Sequence, residues 1–92
     1  MIGFAPAKIN LGLFVTGIRP DGFHDLKSVF WPIGWSDILE VHHSNSEGLD
    51  LHLTGLVIDG NPTSNLVKRT YDLLRQRYSI SGVTAHLHKV IP

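Results

Sequence analysis

Apolar and polar residues alternate along the first half of the chain, as they do in half-buried β-strands. The apolar positions of the stretch 9–16 are Ile9, Leu11, Leu13 and Val15. Gly17 ends this first stretch. The stretch 26–33 is rich in Val, Phe, Trp and Ile and is closed by Pro32 and Gly34, and alternation returns in 37–43 and 49–53. Arg19-Pro20-Asp21-Gly22 predicts a turn, because proline presets one backbone torsion and glycine accepts a positive one. The pattern therefore predicts four successive strands.

The spacing of apolar residues changes to three and four in the second half, which is typical of a helix. The predicted helical stripe is Val67, Thr70, Tyr71, Leu74 and Tyr78. Pro62 precedes Thr63 and Ser64, either of which could cap a helix running from Thr63 to Tyr78. Gly82 then separates this helix from a last strand, 83–88. The predicted order is β-β-β-β-α-β, an α+β domain with a mostly antiparallel sheet and one clear helix.

Composition narrows the class of protein. Ninety-two residues make at most one domain, and eight basic residues balance eight acidic ones, so nothing attracts nucleic acid or an anionic membrane at long range. There is no cysteine for a disulfide or a thiol nucleophile. No apolar run approaches the roughly 18 residues that span a bilayer, and the first residues lack a secretory pattern. We expect a cytoplasmic protein that binds no membrane.

Two groups of residues are candidates for binding chemistry. Lys8 lies among small and apolar residues, and Asn10, two positions on, shares its face of the strand. Phe23 and His24 follow the predicted turn and could hold a flat base by stacking and hydrogen bonding, with Phe30 on the same face as His24. Considered alone, the first group is better explained as an edge lysine beside a turn asparagine. The second group, considered alone, is better explained as a core phenylalanine beside a solvated histidine.

The six histidines raise the question of a metal site. His42 and His43 are adjacent on a strand and point to opposite faces, so they cannot chelate one ion together. His86 and His88 share a face and could do so, but no carboxylate stands at a typical ligand spacing. A solvated strand face explains them, and no metal ligand is assigned. Asn65, at the predicted helix start, could cap the helix or contact a nucleotide.

Three segments together resemble a known family. They are PAKINLGLFVTGIRPDGFHDLKSVF at 6–30, Thr63-Ser64-Asn65-Leu66-Val67, and His88-Lys89-Val90-Ile91-Pro92. These segments resemble the amino-terminal part of the 4-diphosphocytidyl-2-C-methyl-D-erythritol kinase family, a member of the GHMP kinase superfamily. The resemblance covers essentially the whole chain and is most specific in the first segment.

The resemblance implies a role for each candidate residue. Lys8 would lie beside the substrate hydroxyl as the catalytic lysine, Asn10 would contact the methylerythritol part, and Phe23, His24 and Phe30 would hold the cytosine. Asn65 and Lys89 would contact the adenine nucleotide. The implied reaction transfers the γ-phosphoryl group of ATP, with Mg²⁺, to the 2-hydroxyl of the cytidine diphosphate substrate, a step of non-mevalonate isoprenoid synthesis. Phe23 departs from the usual tyrosine, which keeps the stacking face and removes the phenol oxygen.

The resemblance also implies that residues 1–92 form a partial amino-terminal GHMP kinase domain. In the family, the glycine-rich phosphate loop begins just after the position of Pro92, and the catalytic aspartate and the carboxy-terminal domain lie further on. We therefore expect no measurable kinase activity from these residues alone. Apolar or unpaired edges at 83–90 and 38–41 would favour self-association.

A second class of function remains open at this point. A free-standing α+β module could bind single-stranded RNA through Phe23, His24 and Phe30, because the GHMP amino-terminal fold is shared with domains of ribosomal and translation proteins. The balanced charge of the chain argues against it, since contacts to phosphates supply most of the non-specific affinity for nucleic acid.

Overall fold

The computed structural model describes all 92 residues, in two compact units. The first unit comprises Met1–Ala5 and Ser36–Pro92, and the second comprises Pro6–Trp35. The elements are β1 (Ile2–Ile18), β2 (His24–His43), β3 (Leu49–Gly55), a 3₁₀ turn (Pro62–Ser64), α1 (Leu66–Arg77) and β4 (Val83–Lys89). The strands form one sheet in the order β1-β2-β4-β3, and the predicted α+β class is confirmed.

The first two strands are longer than the sequence pattern predicts. The predicted strands 26–33 and 37–43 are one continuous strand, β2, and β1 runs past Gly17 to Ile18. Proline fixes φ near a value that extended backbone accepts, so Pro32 does not end β2. Neither Gly17 nor Gly34 has a positive φ, so neither residue turns the chain. The order is therefore β-β-β-α-β, with one strand fewer than predicted.

Strand β4 lies in the interior of the sheet. It pairs antiparallel with β2, from Ile38 opposite His88 to His43 opposite Val83. On its other side it pairs parallel with β3, from Leu49 opposite Val83 to Gly55 opposite Lys89. The expectation that 83–90 and 38–41 leave unpaired edges is therefore wrong. The edge strands are β1 and β3, because the chain returns through α1 to insert β4 between β2 and β3.

The helix begins later than predicted. Pro62–Ser64 form a separate 3₁₀ turn, in which the side chain of Asn61 accepts a hydrogen bond from Thr63 N at 3.0 Å. Asn65 then has extended backbone (φ −57°, ψ 133°), and its side chain accepts from Val67 N at 2.9 Å. Asn65 is thus the cap of α1, and the prediction of Thr63 or Ser64 is wrong because those residues belong to the preceding turn.

The buried apolar core is small. Ala85, at the centre of β4, is 1% exposed, Tyr71 anchors the inner face of α1 at 8%, and Ala7 is the buried apolar residue of the second unit. Helix α1 contacts β3, and the hydroxyl of Tyr71 donates to Ser81 O at 3.4 Å. Many large apolar side chains remain exposed. The chain has no helix with the length and apolar character needed to cross a membrane.

Candidate functional site

A cavity of about 430 Å³ lies in the first unit, within the size range of small-molecule sites. Its walls come from the sheet, the segment 58–61 and the first residues of α1. Leu39, Leu53 and Leu87 supply apolar surface from three neighbouring strands. Asn65 and Lys89, which the family resemblance assigns to the adenine nucleotide, both line this cavity. The fold therefore brings together two residues that are 24 positions apart in the chain.

The side chain of Asn65 can both cap α1 and contact a ligand. Its Oδ1 accepts from Val67 N at 2.9 Å and caps α1. The amide NH₂ group makes no hydrogen bond within the chain, so it remains available as a donor at the cavity wall. The alternatives of capping and ligand contact are therefore compatible with each other, because they use different atoms of the same side chain.

Lys89 forms an ion pair with Asp37, with 2.6 Å between Nζ and Oδ2. Both side chains are partly buried, and Asp37 also accepts from the backbone N–H groups of Val90 and Ile91. Burial raises the pKa of Asp37, but hydrogen bonds from Ile91, Lys89 and Val90 and the charge of Lys89 outweigh it and lower that pKa from 3.8 to about 2. Asp59 also lines the cavity, which therefore carries no net positive charge at neutral pH.

The second unit contains a cluster around Lys8. The ammonium group donates to Asn10 Oδ1 at 3.2 Å and lies 4.0 Å from the centre of the Phe30 ring. The two contacts fix the direction of a side chain that would otherwise be mobile. Phe30, which the sequence analysis grouped with His24, thus belongs to one surface with Lys8 and Asn10.

Phe23 follows the turn of the second unit and His24 is the first residue of β2, and both are exposed. Phe23 N donates to Asp21 Oδ1 at 3.0 Å, and the guanidinium of Arg19 lies 5.8 Å from the centre of the Phe23 ring. The ring of Phe23 is 66% exposed, so its stacking face is accessible. Phe23 contacts residues of the turn, whereas Phe30 contacts Lys8. That the two groups border one cavity stays a prediction.

Four of the six histidines lie on one face of the sheet in the first unit: His42, His52, His86 and His88. His52 and His86 stack with ring centroids 4.7 Å apart, and His52 and His42 each contact an acidic side chain two residues away, Asp50 and Glu40. Carboxylates therefore do stand beside these histidines. However, no group of three or more His, Asp or Glu side chains is arranged to hold a metal ion. These 92 residues therefore supply no ready-made set of three ligands for the Mg²⁺ that the family resemblance implies.

Sequence patterns did not identify Asp37 and Asp59 as residues of the cavity. Asp37 faces Lys89 because β2 and β4 are neighbours in a particular register, with Ile38 opposite His88. A charged residue directly beside the apolar residues Ile38 and Leu39 of a strand is a usable signal for a buried partner. The identity of that partner depends on strand pairing across more than 50 positions.

Fold and cavity together define an α+β domain with a small-molecule pocket at the start of its helix. No family model matches the chain. Two curated relatives are 4-diphosphocytidyl-2-C-methyl-D-erythritol kinases. The one from Bacteroides thetaiotaomicron is 45% identical over 94 residues and that from Cytophaga hutchinsonii 46% over 92, each match covering the whole chain. A crystal structure of 4-(cytidine 5'-diphospho)-2C-methyl-D-erythritol kinase matches with a TM-score of 0.71 and 39% identity, over 100% of this chain and 32% of that one.

The chain spans about a third of the length of the curated relatives it matches, 34% and 33% for the two named above. The resemblance inferred from the sequence is thereby confirmed over the whole chain.

Proposed function

We propose that this chain supplies binding surfaces of a kinase that transfers the γ-phosphoryl group of ATP to the 2-hydroxyl of 4-diphosphocytidyl-2-C-methyl-D-erythritol. This would be a step of non-mevalonate isoprenoid synthesis. The observation that carries the proposal is the similarity of the whole chain, at 45% and 46% identity, to kinases of that name. The cavity lined by both Asn65 and Lys89 supports the nucleotide part of the proposal.

The character of the cavity suits the base and ribose of the nucleotide better than its phosphates. Leu53 and Leu87 offer apolar surface to a flat base, and the free NH₂ group of Asn65 can donate to a ring nitrogen. Asp37 neutralises Lys89, and Asp59 adds a negative charge that disfavours phosphate. The triphosphate would therefore extend away from this cavity.

The acceptor side of the reaction would use the second unit. The ammonium of Lys8, directed by Asn10 and Phe30, would lie beside the 2-hydroxyl and stabilise the negative charge that develops there. The exposed ring of Phe23 would stack on the cytosine, with His24 hydrogen bonding to its edge and Phe30 on the same surface. The departure from tyrosine at Phe23 removes a polar contact and leaves the stacking surface intact.

Phosphoryl transfer also needs groups that neutralise the phosphates of ATP, most often backbone N–H groups of a glycine-rich loop and a bound Mg²⁺. These 92 residues contain no such loop, and none of them is assigned to the metal. We therefore expect the chain alone to bind ligands without phosphorylating them. Both proposed substrates carry phosphate charges that do not cross a bilayer unaided, so we expect the reaction in the cytoplasm.

The test is a titration of the ¹⁵N-labelled chain, followed by NMR, with adenosine, cytidine diphosphate and a short RNA. We expect adenosine to shift signals of residues that line the cavity, among them Asn65 and Lys89. Cytidine diphosphate should shift signals of Phe23 and His24. No response to either ligand would contradict the proposal. RNA binding that weakens steeply with salt, without a response to the nucleotides, would favour the RNA-binding module, which no contact in the structure supports at present.

A further inference from the structure

Asp37 holds three consecutive residues at the end of β4. Its Oδ2 accepts from Lys89 Nζ at 2.6 Å, and its Oδ1 accepts from Val90 N at 2.7 Å and Ile91 N at 2.9 Å. The side chain of Asp37 is 15% exposed and that of Lys89 is 23% exposed, so water competes little for either group. The other side-chain ion pairs of the chain have at least one partner more than 35% exposed.

The backbone of Lys89 is held as well. Leu56 N donates to Lys89 O at 2.9 Å, and a β-carbon at Gly55 would collide with that same carbonyl group. Because the end of β3 fixes the backbone of Lys89, the position of the Lys89 ammonium depends only on the torsions of its side chain. Asp37 is the acidic group that selects among them.

We propose that Asp37 is a positioning residue for the nucleotide cavity, and that it makes the cavity selective for the nucleoside part of the ligand. This inference rests on the proposed function. Asp37 draws the ammonium of Lys89 to the β2 side of the cavity and cancels its charge. Without that carboxylate, the ammonium can turn toward an anionic group and attract phosphate.

The inference is tested with Asp37→Asn, which removes the charge and keeps an oxygen that can accept from Val90 and Ile91. Binding of adenosine and of AMP is measured by NMR titration of each protein. We expect the wild-type chain to bind AMP no more tightly than adenosine. In the variant, adenosine should bind about fivefold more weakly. The ratio of the affinity for AMP to the affinity for adenosine should rise by about fivefold, as expected for one released charge near the surface.

Asp72→Asn is the matched control, because it removes the acidic partner of Lys68 in an exposed pair on α1, outside the cavity. We expect Asp72→Asn to change neither the affinity for adenosine nor the affinity for AMP. If Asp37 had only a structural role, Asp37→Asn would weaken the binding of adenosine and AMP equally. An unchanged ratio of the two affinities would therefore overturn the inference. If the wild-type chain binds neither ligand, the proposed function fails at this cavity and the inference falls with it. If the wild type binds and Asp37→Asn behaves like Asp72→Asn, the inference alone fails.

The wild-type protein provides a second measurement should Asp37→Asn fail to fold. The carboxyl carbon of Asp37 and the amide signals of Val90 and Ile91 are followed by NMR as the pH falls from 5 toward 2. We expect all three to move together, with the Lys89 ammonium signal, since one carboxylate binds all of these donors. Independent movement of the Lys89 signal would overturn the positioning role.

Discussion

At the cavity, different atoms of one side chain have different functions, and Asn65 is the clearest case. Its Oδ1 accepts from Val67 N and begins α1, and its NH₂ group is left for a ligand. Because the two functions reside on different atoms, substitutions can separate them. The same holds for Asp37, whose two oxygens hold the Lys89 ammonium and the backbone beyond it.

We predict that Asn65→Asp keeps the stability of the protein and loses affinity for adenosine. A carboxylate at this position still accepts from Val67 N, but it offers no donor to the ligand. The loss of one hydrogen bond should weaken the binding of adenosine by about threefold to tenfold. Asn65→Ala should lose the same affinity and also about 1 kcal/mol of unfolding free energy, since it removes the cap. Urea denaturation and NMR titration measure the two effects, and equal stability of the Asp and Ala variants would contradict the assigned cap.

We predict that Asp37 contributes stability that is lost in acid. Its pKa falls from 3.8 to about 2 on folding, so its contribution is complete above pH 4, declines as the pH falls from 4 to 2, and is absent below that. The contribution is about 2 kcal/mol. Urea denaturation of wild type and Asp37→Asn between pH 7 and 2.5 measures it, because the other acidic groups are common to both proteins. A difference between the two that does not shrink with acid would contradict the assigned pKa.

The candidate site was predictable from the sequence only where its residues form local motifs. Lys8 and Asn10 are two positions apart on one strand, and a strand period of two suffices to place them on one face. Asp37 meets Lys89 only through the pairing of β2 with β4, which no local pattern encodes. The contact of Lys8 with Phe30 likewise joins residues of different strands.

At the scale of elements, the type of each element was predictable and its limits were less so. The strand periods and the helical stripe around Tyr71 led to the α+β class. Pro32 and Gly34 suggested a break in β2 that the extended backbone does not require. Thr63 or Ser64 was predicted as the cap and Asn65 was named as an alternative, and the structure has Asn65. The position of β4 between β2 and β3 depends on contacts far apart in the chain.

We predict that Gly55→Ala destabilises the end of β3 and disturbs Lys89. Gly55 has a φ of +83°, and an added β-carbon would collide with the backbone of Lys89. Strain and collision together should cost about 2 kcal/mol or more of unfolding free energy. Gly34→Ala is the control, because an added β-carbon there meets nothing within 4 Å. Urea denaturation compares the two variants, and equal stability would contradict the close approach of Gly55 to Lys89.

At the scale of the whole molecule, the chain buries little apolar surface for its length. Ala7, Tyr71 and Ala85 are its buried apolar residues, whereas side chains such as Leu66 on α1 and Val57 after β3 are 73% and 89% exposed. The relatives are about three times as long as this chain. Surface of this kind is suited to contact with further protein.

We predict that the isolated chain self-associates as its concentration rises. The edge strands β1 and β3 present unpaired backbone groups, and exposed apolar side chains lie close to them in sequence. Light scattering across a range of concentrations measures the average mass. A single monomeric mass at every concentration would contradict this prediction.

The most direct test of the proposed kinase role places these 92 residues in a complete enzyme. The aligned segment of the Bacteroides thetaiotaomicron kinase, 45% identical, is replaced by this chain, and ATP-dependent phosphorylation of 4-diphosphocytidyl-2-C-methyl-D-erythritol is measured. We expect the chimera to be active, and Lys8→Ala in it to reduce kcat strongly while the protein stays folded. A folded chimera that binds ATP without phosphorylating this substrate, or one indifferent to Lys8→Ala, would contradict the proposed role.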